Sequence, residues 1–411
     1  MFPLLRLFAA CLPLIFSFSA SLHAEDALRA KVKAYQEALV RSKVTGSNIA
    51  GVFQGSTVLA LNSVSSTIDG DKVVNENTIF PIWSMSKPIT IVAMMILLDK
   101  ESYRLSDPVE KYIPYFSNIM CKSEIEEDEG EAFPCKRKLL VEHLLTHRSG
   151  FQYYQNDVGG PDHTDAYENL DEFVRHAASH PLEFEPGSKY LYGINQAILG
   201  RLIEVMSGSE FYKFLDKEIF GPLDMVDTKF FLTQEDRKRF QPLYRKAQKT
   251  LNDPGIRADQ GKTQMTTNFD ELTYALETKA QFGGEGLVGT FSDYRKFCEM
   301  LLAGGEYQGK RIISPKTFSL MTKAVSGTEI SRGYDDGMAY AFSFFTLQEP
   351  MLDGTGSPKG IFGWSGYHNT HFWIDQTNGI FGLFMTRTTP FTFEIQKQFR
   401  SAVYSELKKG R

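Results

Sequence analysis

Ser84-Met85-Ser86-Lys87 sets a hydroxyl and an amine three residues apart at the head of an apolar run that continues to about Leu98. On a helix, that spacing puts both side chains on one face and within hydrogen-bond reach. The N-terminus of such a helix contributes unpaired N–H groups and positive potential, which favour a developing alkoxide or oxyanion. Burial against an apolar helix disfavours the charged form of an amine, and a neutral Lys87 could take the proton of Ser84. The chemistry implied is nucleophilic acyl transfer. The tetrad alone is a common pattern. Ser405-Glu406-Leu407-Lys408 has the same spacing in a polar C-terminal segment with no other reactive residues around it.

Other groupings point to less. Glu142-His143-Leu144-Leu145-Thr146-His147 spaces two histidines as in many metal sites, but lacks the intervening Glu of H-E-x-x-H and an evident third ligand. Gly283-Gly284-Glu285-Gly286 lacks the strand–helix context of a phosphate loop and reads as a tight turn at the rim of a site. No metal or cofactor is expected. Arg148 and Ser149 read as structural or rim residues, and Glu124 to Glu131 as a solvated acidic loop.

The elements that must position Ser84 and Lys87 come from both ends of the chain. The 411 residues, 42% hydrophobic and 23% charged, have room for two or three domain-sized units and exclude fibrous or low-complexity architectures. A net charge of −5 excludes an electrostatic footprint for nucleic acid and argues against docking on anionic lipid. Residues 1–24 read as a signal peptide: Arg6, an apolar run from Leu7 to Phe18, then small or neutral residues to Ala24. A weak lipoprotein-like stretch at Cys11 has almost no apolar lead. The protein is therefore expected in the periplasm or secreted, with no stable membrane span. In that oxidising setting Cys121 and Cys135, which bracket the acidic loop, are expected to form a disulfide, and Cys298 to be a buried apolar residue.

After a helical lead (27–40), residues 49–53 and 57–61 read as a strand hairpin. A helix follows from about Ser84 to Leu98, with Pro88 near its tolerated first turn. Residues 339–347, 370–374 and 380–385 are β-rich, the last two joined by Asn378-Gly379, and a terminal helix spans about 393–408. The expected fold is α/β (α+β): an antiparallel sheet domain from 25–104 and 290–411, flanked by helices, with an inserted, mostly helical domain at 105–289.

Thr78-Ile79-Phe80-Pro81-Ile82-Trp83-Ser84-Met85-Ser86-Lys87 resembles the serine β-lactamase-related family of DD-peptidases, AmpC-type lactamases and family VIII carboxylesterases. The likeness continues through Asp107-Pro108-Val109-Glu110, Leu144-Leu145-Thr146-His147-Arg148-Ser149-Gly150, Pro186-Gly187-Ser188, Gly283 to Leu287 and Phe362-Gly363-Trp364-Ser365-Gly366. It covers nearly all of the chain after the signal. The resemblance implies Ser84 as nucleophile, Lys87 as its partner and Tyr192 as the motif tyrosine, with Tyr190 as a nearby rival. It also implies an oxyanion hole from the N–H groups of Ser84 and Tyr367. A core tyrosine with a satisfied hydroxyl is the bland alternative for Tyr192, and an interface aromatic that for Trp364.

Two departures bear on substrate. The family's Y-x-N would place Asn at 194, where Ile194 stands; Asn195 is one position late and would need a local bend to bind substrate. The lactamase K-T-G or H-x-G position reads Trp364-Ser365-Gly366, similar to the esterase W-x-G, with an aromatic wall in place of a cation. His368 and His371, three apart on one strand, would face opposite sides. The sequence thus points to a serine hydrolase for small esters, with lactam or D-Ala-D-Ala peptide cleavage as the alternative in the same chemistry. A catalytically silent cell-wall or ligand-binding protein is the alternative of a different class.

Overall fold

Strands from the two ends of the chain meet in one antiparallel sheet. β1 (Asn48–Gln54) and β2 (Thr57–Val64) form the early hairpin. β3 (Met338–Tyr340), β4 (Phe345–Leu347), β5 (Phe362–Ser365), β6 (His371–Asp375) and β7 (Ile380–Thr386) come from the late part. Their spatial order is β3-β4-β5-β6-β7-β1-β2, with Gly51 of β1 opposite Leu383 of β7. The computed structural model describes residues 12–123, 131–153, 167–245, 264–266, 274–326 and 337–409.

Helices cover both faces of this sheet. On one side α1 (Leu12–Arg41) packs against the terminal helix Phe393–Leu407, where Tyr35 stacks on Phe399 at 6.0 Å and its hydroxyl donates to the Ile395 carbonyl. On the other lies the helix Phe291–Leu302, with Phe291 and Tyr294 against Phe53 and Phe372. Every residue of β6 and β7 is consequently buried. Double coverage explains why these antiparallel strands read as unbroken apolar runs and not as alternation.

α2 (Ser86–Asp99) is buried from Ser86 to Leu97, the signature of a core helix. It starts two residues later than expected, because Trp83–Met85 forms a 3₁₀ turn that carries Ser84. Pro88, the third residue of α2, lies in the turn where no N–H partner is required. α3 (Asn195–Ser207) packs beside it and ends on Gly208 in the left-handed conformation. No helix among the described residues is long and apolar enough to cross a membrane.

One expected strand is two. Residues 339–347 fold as the β3–β4 hairpin, reversed at Ala341–Phe344. Ser343 makes the turn at φ +51°, a backbone state seldom taken by non-glycine residues, and no Gly or Asn marks it in the sequence. His368 precedes β6 and does not alternate with His371 on it; both side chains are fully buried.

Cys121 and Cys135 are joined in a disulfide, at the base of the small ribbon Met120–Lys122 with Ala132–Pro134; Cys298 is free and buried. The bridge spans a sequence separation of 14 residues, and a loop of that size removes roughly 3 kcal/mol of unfolded-state freedom. Replacing both cysteines with serine should lower the urea unfolding free energy by about that amount. An unchanged midpoint and slope would show that the bridge adds nothing to stability.

Candidate active site

Three elements deliver three side chains to one point. The 3₁₀ turn presents Ser84, the first turn of α2 presents Lys87, and the loop before α3 presents Tyr192. Lys87 Nζ lies 3.1 Å from Ser84 Oγ, and the Tyr192 hydroxyl donates to the same oxygen at 2.9 Å. Tyr190 instead stacks on Tyr340 at 5.0 Å. Between the two tyrosines, the geometry selects Tyr192.

Ser84 stands at one end of a cavity of about 510 Å³ whose walls are largely aromatic: Tyr190, Tyr192, Tyr340, Phe345 and Trp364. Trp364 on β5 lies against Tyr192 at 5.9 Å and edge-on to Tyr340 at 6.0 Å. Ser365, Gly366 and Tyr367 line the same wall. His371 fixes this edge from β6: its Nδ1 donates to the Trp364 carbonyl and lies 2.8 Å from Ser365 Oγ. Burial and the nearby Arg400 hold His371 well below the usual histidine range, so it is neutral. The cavity's remaining wall is the terminal helix, with Gln396, Lys397 and Arg400. Arg400 is already paired with buried Asp353 at 2.8 Å.

Gly366 makes a close approach possible. A Cβ there would collide with the Ile82 carbonyl and the Thr370 hydroxyl, so only glycine lets this turn lie on the segment leading to Ser84. Tyr367 is thereby set beside Trp83, ring centroids 5.3 Å apart. Trp83 itself takes φ +48° and is pinned by Nε1 donating to His368 Nδ1 at 2.8 Å. His368 thus braces the residue before Ser84.

Behind Tyr192 is a buried polar cluster absent from the sequence reading. The His147 ring packs on Tyr192 at 4.8 Å, and its carbonyl accepts from Leu191 N–H. Its Nδ1 lies 2.9 Å from the Asn195 amide; its Nε2 lies 3.2 Å from both the Gln196 amide and Ser343 Oγ. Burial, then the charge of Lys87, hold His147 well below its usual range, leaving a neutral ring. Asn195 is therefore not where the resemblance would use it. As the first residue of α3 it is fully buried, bonded to His147 and Ser149, and absent from the cavity wall. The one-residue shift turned its amide from substrate to scaffold.

The glycine-rich segment is also misplaced by the sequence reading. It lies behind Lys87 and not at a rim: the Gly284 carbonyl accepts from Nζ at 2.7 Å, and the Gly283 carbonyl accepts from Thr90 Oγ1 at 2.7 Å. Glu285 is 91% buried with Oε2 3.9 Å from Lys87 Nζ, and Tyr153 donates to that oxygen at 3.0 Å. One signal was available: an acid inside an otherwise apolar, glycine-rich run needs a buried partner. His143 and His147 do not converge, since His143 Nδ1 accepts from Leu140 N–H and its ring packs under Gly187. Arg148 donates to the Gly187 carbonyl.

A serine–lysine–tyrosine cluster whose serine and tyrosine line an aromatic cavity, beside an antiparallel sheet, fits the serine-hydrolase class built on the β-lactamase fold. The chain belongs to the Beta-lactamase family, whose model matches residues 28–403. It is similar to Protein Rv1367c of Mycobacterium tuberculosis, 27% identical over 82% of this chain and 85% of that protein. It is likewise similar to Esterase EstB of Burkholderia gladioli, at 25% over the same shares. Among solved structures, EstCE1, titled a hydrolase with promiscuous acyltransferase activity, superposes with a TM-score of 0.75 at 21% identity. That superposition covers 93% of this chain and 99% of EstCE1. The protein is a serine hydrolase.

Gly366→Ala should displace the Tyr367 turn, and if the Tyr367 N–H serves the oxyanion hole that the resemblance implies, turnover of p-nitrophenyl acetate falls by about 10²-fold or more. Wild-type rates in that variant would remove Tyr367 from the site.

Proposed function

We propose that this hydrolase is a carboxylesterase that forms an acyl-enzyme on Ser84 and releases the acyl group to water. The observation that carries the reading is the convergence of Lys87 and Tyr192 on Ser84 Oγ at the end of an aromatic-walled cavity. Ser84 Oγ attacks the ester carbonyl carbon as its proton passes to the Tyr192 phenolate, the phenol proton having first left to solvent. The oxyanion is held by the N–H groups of Ser84 and Tyr367. Tyr192 returns the proton to the leaving alcohol as the C–O bond breaks, and water repeats the sequence on the acyl-enzyme. Trp364 offers the bound group an apolar face and one N–H but no charge, and neither Ile194 nor Asn195 brings an amide to the cavity wall, which suits an ester better than an acyl-amide substrate bearing a carboxylate.

β-Lactam or D-Ala-D-Ala peptide cleavage is the second reading, favoured by the cations Lys397 and Arg400 on the cavity wall. Against it, the Arg400 charge is already neutralised by Asp353. The similarity to Esterase EstB supports the ester reading. Export is proposed with it, from the charge and apolar pattern of residues 1–24; amino-terminal sequencing of periplasmic protein should begin near Glu25.

Intact mass after reaction with a fluorophosphonate should show one adduct on the wild type and none on Ser84→Ala. An unlabelled wild type would identify a silent binding protein. Nitrocefin turnover without p-nitrophenyl acetate turnover would reverse the order of the two substrate classes.

A further inference from the structure

Lys87 is completely buried, and what surrounds its ammonium group is unusually rich in negative potential. Besides Ser84 Oγ, Nζ meets the Gly284 carbonyl at 2.7 Å and Glu285 Oε2 at 3.9 Å. It also lies over the rings of Tyr192 and Tyr153, 4.8 Å and 5.2 Å from their centroids. A carbonyl, a carboxylate and two π faces replace the water that a buried cation has lost. Tyr153 contributes twice, through its ring to Lys87 and through its hydroxyl to Glu285. Glu285 is not among the residues lining the cavity; it stands behind Lys87.

We infer that Glu285, tied by Tyr153 and set against Lys87, is a positioning residue whose negative charge sets the pH at which Tyr192 becomes the base for Ser84. The inference rests on the acyl-enzyme reading above. With Lys87 charged, the proton that must leave before attack is the phenol's. It goes to solvent and leaves a phenolate beside the ammonium. The Ser84 proton then passes to that phenolate as Oγ bonds the carbonyl carbon. The Glu285 charge opposes formation of a second anion in the cluster, so it moves the working range of the enzyme upward in pH.

The titratable groups facing this cluster come from four segments: Lys87 of α2, Tyr153, Tyr192 of the loop before α3, and His147 behind it. His147, kept neutral by burial, adds no charge of its own. Burial raises the Glu285 carboxyl from its ordinary range, while Lys87 and the Tyr153 hydroxyl pull it back down. Removing the Tyr153 hydroxyl therefore favours protonation of Glu285, an effect of the same sign as removing its charge but smaller.

The test is the pH profile of kcat/KM for a p-nitrophenyl ester, read at the isosbestic wavelength, in wild type, Glu285→Gln and Tyr153→Phe. In Glu285→Gln the ascending limb should move about one unit or more toward acid, the scale expected for removing a charge a few ångströms away. One unit below the wild-type midpoint, the variant would then run at about fivefold the wild-type fraction of its own plateau. Tyr153→Phe should shift the limb in the same direction by less, and it keeps the question open to measurement if Glu285→Gln does not fold. Fluorophosphonate labelling of wild-type Ser84 separates the two levels of inference. Labelling with both limbs unmoved overturns the role of Glu285, whereas absence of labelling overturns the acyl-enzyme reading beneath it.

Discussion

A lysine with no solvent contact is the constraint around which this molecule is arranged. An isolated buried ammonium costs many kcal/mol, so its environment has to be built before its chemistry is available. α2 is buried along almost its whole length, which places Lys87 in the interior by default. The compensation is brought from distant sequence: the Gly284 carbonyl and Glu285 from one loop, Tyr153 from another, Tyr192 from a third. A Cβ at Gly283 would come within 2.7 Å of the Gln196 carbonyl and Thr90 Oγ1, so the loop reaches the lysine only because it is glycine there. The same side chains that solvate the cation also aim it at Ser84.

Four of the eight non-glycine residues with positive φ among the described residues lie at this site. Trp83, His147, Ser343 and Asn369 all have positive φ, and each belongs to a segment that bounds the site. Such conformations cost of order 1–3 kcal/mol apiece and persist only where surroundings fix them. Here the fixing contacts are visible. Trp83 is held by His368, Ser343 by Gln196 and His147, and Asn369 by its amide donating to the Thr388 and Pro390 carbonyls. The doubly covered sheet supplies the rigid support, since β5 and β6 carry the Trp364 wall and the turn that delivers Tyr367.

The parts legible in the sequence were those governed by short-range rules. Ser84 and Lys87 follow from spacing, the sheet strands from apolar runs, and the Cys121–Cys135 bridge from two thiols flanking a polar loop. The family resemblance added Tyr192, Trp364 and Gly366. What escaped depended on three-dimensional neighbours. Asn195 looked like a displaced substrate ligand because one-residue spacing does not reveal that α3 begins there and turns the amide inward. The β3–β4 reversal was hidden because Ser343 takes a turn conformation without a turn residue. Glu285 was hidden in a segment that resembled a rim turn, since nothing local says that its partner is a lysine 198 positions earlier.

These departures share a direction. At Trp364 the cavity wall carries an aromatic face and no cation; of the two cations on the terminal-helix side, Arg400 is neutralised by Asp353, which leaves Lys397. Charge is instead concentrated behind the nucleophile, in the contact between Lys87 and Glu285. Apart from Lys397 at the terminal helix, the cavity presents mainly π faces and apolar edges to whatever enters. Its polarity acts on proton movement at Ser84 and Tyr192. Selection among substrates then falls to shape and apolar contact with the aromatic walls, discrimination that is shallow for each added methylene.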